Sequence, residues 1–169
     1  MQTTTVHIGL INPKSPSNVG AVMRAAGCFR VDSVFYTGVR YDRAARFSTD
    51  THGARDAIPL LGVDSLLPSS AAKMTVVCVE LVEGATPLPD YQHPDNAFYI
   101  FGPEDGSINQ ALIDSADAVV YIPTIGCLNL AATVNVLLYD RLAKAQLSVA
   151  SDALIRQSRD KNNSVRVKS

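Results

Sequence analysis

The stretch Thr5-Val6-His7-Ile8-Gly9-Leu10-Ile11-Asn12-Pro13-Lys14-Ser15-Pro16-Ser17-Asn18-Val19-Gly20-Ala21-Val22-Met23-Arg24-Ala25-Ala26-Gly27-Cys28 decides the fold. Its first seven residues are a short apolar run rich in β-branched side chains, the pattern of a buried strand. Pro13 and Pro16 interrupt regular pairing and make 12–17 a loop. Val19, Val22, Met23 and Ala26 then recur at helical spacing, and Gly27 stands near the end of that helix. Ser17 or Asn18 is placed to cap it. Strand, proline loop and helix together open a β-α unit.

The same alternation continues outward. Residues 31–36 read as a second strand, and 37–56, polar and rich in Arg and Asp, as a long functional or mobile loop. A short helix is predicted over 64–72 with Asp64 as its cap, and a buried strand over 74–79. Pro87, Pro89 and Pro94 make 83–96 a loop. Strand 97–101, helix 107–115, strand 118–122 and a long helix over 129–146 follow. The tail from 148 is polar and reads as a partly helical arm. Strands alternating with helices predict an α/β fold, a parallel sheet covered on both faces as an α/β/α sandwich. One domain over 1–147 and a basic tail over 148–169 are expected. Ligands bind beyond the carboxyl ends of such strands, which here means loops 12–17, 102–106 and 123–128.

Composition narrows the class. Hydrophobic residues make up 47% of the 169, too many for a disordered chain and enough for one sizeable core. No apolar run reaches the roughly 18–20 residues that a membrane span needs. Met1-Gln2-Thr3-Thr4-Thr5 lacks the basic start and apolar stretch of a signal peptide. A cytoplasmic protein with no membrane partner is expected. The three cysteines, Cys28, Cys78 and Cys127, form no CxxC or Cys/His cluster, so neither a disulfide framework nor a metal site is expected. Cys28 and Cys78, among apolar residues, read as inert core. The net charge of −1 conceals segregation: residues 1–60 carry net +3, 61–140 net −9 and 141–169 net +5. Two basic segments separated by an acidic one suit a polyanionic partner, or an ordinary solvated surface.

Three segments carry candidate chemistry. In the first, Asn18 and Arg24 lie nearly two turns apart in a helix otherwise built of small and apolar residues, on roughly one face. A buried Arg there would need a partner; an exposed one would simply reach solvent. In the second, Phe101-Gly102-Pro103-Glu104-Asp105-Gly106-Ser107-Ile108, a strand runs into glycines and acids before a helix. Glycine there allows close backbone approach to a ligand, and Glu104 could cap a helix end or bind ligand hydroxyls. In the third, Tyr121-Ile122-Pro123-Thr124-Ile125-Gly126-Cys127-Leu128-Asn129, a strand ends in an apolar loop and Asn129 starts a helix, at the least as its N-cap. Asn135, inside that helix, is a poor helix former.

Taken in order, the three segments resemble the motifs of the SPOUT superfamily, in its TrmH (SpoU) branch of RNA 2′-O-ribose methyltransferases. Asn18…Arg24 resembles motif 1, Phe101 to Glu104 motif 2, and Ile122-Pro123…Leu128-Asn129 motif 3, over most of residues 5–145. No GxGxxG follows the first strand, so a Rossmann-type methyltransferase fits poorly. The resemblance implies a sheet whose C-terminal part passes through a loop as a deep trefoil knot, an exception to ordinary connection rules. It implies S-adenosylmethionine as methyl donor, S-adenosylhomocysteine as product, an RNA substrate and a homodimer. Val134, Leu137 and Leu138 are expected to offer the apolar dimer surface. The matching cofactor positions are Val79, Glu80, Leu81, Phe101, Gly102, Pro103, Glu104, Ile122, Ile125, Cys127, Leu128 and Asn129. The implied catalytic residues are Arg24, Asn18, Glu104 and Asn129. Arg24 stands nearest the chemistry, either as base or, since a guanidinium normally keeps its proton, as a phosphate clamp that stabilises the developing alkoxide.

The sequence departs from the family pattern twice. Gly106 follows Glu104 one residue early, with Ser107 in its usual place, and Cys127 replaces the serine before Leu-Asn in a loop about three residues short. With no further RNA-binding domain in these residues, RNA is expected to be held by Lys14, Arg40, Arg43, Arg46 and Arg55, with Arg156, Arg159 and Lys161 of the tail. That suits a minimal tRNA-modifying member. Two alternatives remain: a base methyltransferase of the same superfamily, against which the Asn18–Arg24 helix argues, and an RNA-binding protein that kept the fold without methyl transfer.

Overall fold

Among the residues described by the computed structural model, 4–46, 58–67, 73–145 and 150–168, seven strands form one wholly parallel sheet. In chain order the elements are β1 (Thr5–Leu10), α1 (Pro16–Cys28), β2 (Ser33–Tyr36), α2 (Arg40–Ala45), β3 (Leu60–Gly62), β4 (Thr75–Val79) and β5 (Thr86–Pro87). A 3-10 turn at Leu88–Asp90 leads to β6 (Asn96–Phe101), α3 (Gln110–Ser115), β7 (Ala118–Tyr121), α4 (Leu130–Lys144) and α5 (Asp152–Ser158). The spatial order is β3-β2-β1-β6-β4-β7-β5. The chain therefore winds outward from β1 to β3 on one side, then builds the other half with β6 inserted beside β1.

Side chains alternate across the central strands with the period of two that a sheet covered on both faces requires. Val77 and Val79 of β4 and Ala97, Tyr99 and Phe101 of β6 join a large core with Val19, Val22, Met23 and Ala26 of α1 and Val134, Leu137 and Leu138 of α4. Val76, Cys78, Phe98 and Ile100 face the opposite side, where Leu66, Ile108 and the partly buried Leu112 and Ile113 of α3 cover them. The arrangement is the expected α/β/α sandwich. Strand starts are fixed by side chains: Asp32 accepts the Val6 N–H at 2.7 Å, Asp117 that of Val76 at 2.7 Å, and Asn96 that of Thr5 at 3.1 Å. Pro87 sits on the short edge strand β5, where a missing donor is tolerated.

Several local expectations are corrected. Ser15, not Ser17 or Asn18, caps α1: its hydroxyl accepts the Asn18 N–H at 3.3 Å, and Pro16 takes the first turn, where the absent N–H has no cost. The expected loop 37–56 contains α2, held because Tyr41 is buried edge-on against Tyr36, whose hydroxyl donates to Asp42 at 2.6 Å. Residues 47–57 lie outside the described residues. Residues 64–67 are not helical, since Leu66 is drawn into the second core cluster; 68–72 of that predicted helix lie outside the described residues. α3 starts at Gln110 rather than 107, because Ile108 is buried and Asn109 caps the helix through the Leu112 N–H at 2.9 Å. Cys28 is exposed; only Cys78 is core, its thiol pushed up to about 11 by burial and then by the charge of Glu80.

Val134, Leu137 and Leu138 are also misplaced by the sequence reading. They are 0%, 0% and 2% exposed, packed against α1 and the sheet, and offer no surface. Asn135 is explained locally, its amide donating to the Ala131 carbonyl one turn back at 2.9 Å. The C-terminal turn of α4 is pinned to the segment before β6. Arg141 donates to Pro94 O, Asp95 O and the Tyr99 hydroxyl, and Lys144 to Leu88 O and Tyr91 O. Two cations in that last turn also complement the helix dipole.

Candidate active site

β1 and its neighbour β6 feed connections that leave the sheet in opposite directions. A crevice opens above such a switch point. The observed cleft, of about 380 Å³, lies over the carboxyl ends of β4, β6 and β7 and the start of α1. Its walls are Val79, Glu80 and Leu81 after β4, Phe101 to Glu104 and Gly106 after β6, and Tyr121, Ile122, Thr124 and Cys127 to Leu130 after β7. Asn18 and Thr133 come from α1 and α4.

Three sequence segments, the first more than eighty residues before the other two, thus meet in one place. Of the positions matched to a cofactor site, every one but Ile125 lines the cleft. Ile125 is wholly exposed, because the loop turns outward at Gly126, whose φ of +86° only glycine adopts without strain. Thr124 closes that short loop by donating to Gly126 O at 2.9 Å. Tyr121, Thr124, Leu130, Thr133 and Gly106 are cleft residues that the sequence reading left out. Thr133 had a signal, since it lies one turn beyond Asn129 on the same helix face.

Glu104 holds the site's two halves together. One carboxylate oxygen accepts the Lys14 N–H at 3.0 Å; the other accepts the Ser15 N–H at 3.1 Å and the Asn18 amide at 3.4 Å. Partial burial would raise its carboxyl, but the hydrogen bonds from Lys14, from its own backbone, from Ser15 and from Asn18 outweigh that and hold it below the usual carboxylate range. Next to it Asp105 pairs with Arg40 at 2.7 Å, while the rest of the Arg40 fork reaches the Asn12 carbonyl. Arg40 is therefore engaged in bracing loops 12–15 and 102–106. Asn12 has φ +41°, a strained value at the edge of the site, and its buried Oδ1 has no partner among the described residues.

Asn129 is the N-cap of α4, accepting the Ala132 N–H at 2.8 Å, and lines the cleft as well. Glu80 is half-buried in the cleft floor. Its oxygens accept the Leu81 N–H and the Ile108 N–H, each at 3.0 Å. A Cβ on Gly102 would lie 2.9 Å from one of them. Arg24 is not among the lining residues. It is exposed on α1 and makes no hydrogen bond or ion pair with any described residue. Lys14, Arg43 and Arg46 are also exposed, and Arg55 lies outside the described residues. Among the described residues no three His, Cys, Asp or Glu side chains gather as metal ligands.

Fold and cleft together define an α/β domain with a crevice at the carboxyl ends of a parallel sheet, where such sheets bind ligands. Within that class, the chain belongs to the SpoU rRNA Methylase family, whose model matches residues 5–139. No curated protein matches the sequence. Solved structures share the fold. The AdoMet-bound rRNA methyltransferase of Sinorhizobium meliloti superposes with a TM-score of 0.67 at 20% identity, over 84% of this chain and 57% of that one. The TrmH/SpoU tRNA modifying enzyme of A. aeolicus gives 0.71 at 18% identity, over 83% and 75%. A protein whose structure bears on 2-OH methylation of C/U34 on tRNA gives 0.65 at 20% identity, over 85% and 92%. The chain thus spans little more than half the length of the S. meliloti protein.

Proposed function

We propose that this protein transfers the methyl group of S-adenosylmethionine to a ribose 2′-hydroxyl of RNA, with tRNA as the substrate class. The observation that carries the reading is the cleft itself. The three motif segments converge on it, and Glu104 ties motif 2 to the start of the motif 1 helix. Family membership and the two tRNA-related structural neighbours support the RNA assignment.

The residues present fit an adenosyl group. Val79, Leu81, Phe101, Ile122 and Leu128 supply apolar walls, Gly102 opens room beside Glu80, and the volume suits a ligand of that size. When bound, S-adenosylmethionine supplies an activated methyl on a sulfonium. The chain's own work is positioning, which can contribute roughly 7–11 kcal/mol in favourable cases. Glu104 keeps Asn18 and loop 12–15 docked on the motif 2 backbone. Asn129 and Thr133 present polar atoms from α4. Arg24, free of any described partner, offers its planar fork to an RNA phosphate and to charge developing on the attacking oxygen. Lys14, Arg43, Arg46 and the tail cations Arg156 and Lys161 stand exposed for further phosphates, while Arg159 is half-buried and donates to Val165 O.

A homodimer completes this reading. Val136, Tyr139 and Leu142 of α4 are 39%, 64% and 41% exposed and form one stripe, which replaces the buried residues as the apolar contact face. Light scattering should give twice the 18.1 kDa chain mass, and Tyr139→Glu should halve it. No described helix is long and apolar enough to cross a membrane.

The test is incubation of the purified protein with S-adenosylmethionine and RNA from cells lacking it, followed by nucleoside mass spectrometry. One ribose-methylated nucleoside in tRNA is expected. Methylation confined to bases overturns the ribose assignment. Absence of both cofactor binding and methylation overturns the enzyme.

A further inference from the structure

We infer that the Glu80 side chain is a specificity residue of the cleft, receiving the two vicinal hydroxyls of the ligand's ribose. This rests on the reading of the cleft as an S-adenosylmethionine site. The two carboxylates that line it are differently used. Glu104 spends both oxygens on Lys14, Ser15 and Asn18. Glu80 accepts one backbone N–H on each oxygen, Leu81 on one and Ile108 on the other. An ionised carboxylate has about four acceptor positions, so one stays open on each oxygen.

Glu80 is half-buried, no Lys or Arg lines the cleft, and no ion pair among the described residues includes it. A half-buried carboxylate without an ion pair is best matched by hydrogen-bond donors. With one backbone amide on each oxygen, the open positions are one per oxygen of a single carboxylate that lines the cleft. Two adjacent hydroxyls place one donor on each oxygen, and an acidic residue hydrogen-bonds a ribose hydroxyl in dinucleotide-binding parallel sheets.

Gly102 is part of the same device. A Cβ there would stand 2.9 Å from the Glu80 oxygen and 3.3 Å from Ile108 Cγ1, so a side chain at 102 would push the carboxylate from its present place. Ile108, buried just beyond motif 2, holds the opposite side through its N–H. The early glycine of motif 2, Gly106, lies in the tight connection that delivers this amide, where its N–H donates to Pro103 O at 3.4 Å.

The test is calorimetric binding of S-adenosylhomocysteine and of its 2′-deoxy, 3′-deoxy and 6-deamino analogues to the wild type and to Glu80→Gln. Each deoxy analogue should bind the wild type about tenfold more weakly, the loss expected of a hydrogen bond to a charged acceptor. Glu80→Gln should bind the parent more weakly and no longer distinguish it from the deoxy analogues. Wild-type protein that binds parent and deoxy analogues equally overturns the role of Glu80 and leaves the cleft assignment standing. A loss confined to the 6-deamino analogue, and abolished in Glu80→Gln, places Glu80 against the base and overturns the inference too. Failure of the wild type to bind the parent overturns the cleft assignment, and this inference with it. The wild-type series needs no variant to fold.

Discussion

Removing the Glu104 carboxylate should uncouple the two halves of the site while leaving the sheet intact. Glu104→Ala strips acceptors from the Lys14 amide at 3.0 Å and the Ser15 amide at 3.1 Å; the Asn18 contact, at 3.4 Å, is weak by comparison. A hydrogen bond to a charged group contributes about 1.5–3 kcal/mol where water is excluded. Glu104 is exposed, so water takes over part of both bonds. The expected loss of unfolding free energy is therefore about 1–2 kcal/mol for the pair together. Urea unfolding measures it. The pH dependence gives an independent reading. The folded carboxyl lies below its ordinary value of 4.5, so its contribution is fully present above that pH and is lost as the pH falls through the lower folded value. Glu104→Ala should show a shallower loss of stability in that window than the wild type. Methyl transfer should fall further than the stability loss explains, because loop 12–15 and Asn18 lose their dock. An unchanged urea midpoint with an unchanged acid limb would refute the reasoning.

Other outcomes follow from single positions. Gly38→Ala should destabilise by more than the about 1–2 kcal/mol of a left-handed residue, since φ is +79° and a Cβ would overlap Asn12 Oδ1; thermal melting checks it. Arg24→Ala should leave the melt within about 0.5 kcal/mol of wild type, as expected for an exposed side chain without a described partner, while single-turnover methylation falls about 10²–10³-fold. Arg24→Lys should be nearly as inactive, because a point charge does not reproduce the planar fork. His93 is held below its ordinary value of 6.5 first by burial, against Asp140, which raises it, and with Arg141 and Lys144, which lower it. Its share of stability is present above 6.5 and fades as the pH falls through the folded value, so the melting temperature should drop between pH 7 and pH 5, and less so in His93→Gln.

The central sheet was legible because its strands are apolar on both faces and bounded by prolines, glycines and caps. What escaped the sequence was decided by contacts between distant residues. α2 is polar in composition and six residues long, and it exists because Tyr41 finds Tyr36. Ile108 reads as the start of a helix by its neighbours, yet a buried side chain and the Glu80 acceptor keep it out of α3. In α4, apolar spacing marked Val134, Leu137 and Leu138 as a face but did not say which partner covers it; α1 and the sheet do. The cleft lining was readable for a different reason. The glycines, acids and asparagines at three strand ends resemble the family's motifs in order, and that resemblance carried the signal. Arg24 shows the limit of spacing: six residues put it about 120° around α1 from Asn18 rather than on one face, so Asn18 lines the cleft and Arg24 does not.

Why these particular loops meet is a matter of register. Leu10 lies level with Phe101, Phe101 with Val79, and Val79 with Val120, so β1, β6, β4 and β7 end in one row. The chain leaves the sheet beyond residues 10, 101, 79 and 121; the last three departures wall the crevice, and the first leads to Asn18 of α1 at its side. Lys14 and Glu104, ninety residues apart, can then exchange a hydrogen bond because each stands three or four residues beyond paired neighbours. Glu80 reaches Ile108 because β4 borders the strand that leads to it. A slip of one residue between β1 and β6 would turn every alternate side chain to the opposite face. It would also carry Glu104 about 3.3 Å along the strand direction, beyond hydrogen-bond reach of the Lys14 and Ser15 amides. The core packing of Ile8, Leu10, Tyr99 and Phe101 that forbids the slip is therefore the same packing that sets the distances in the site.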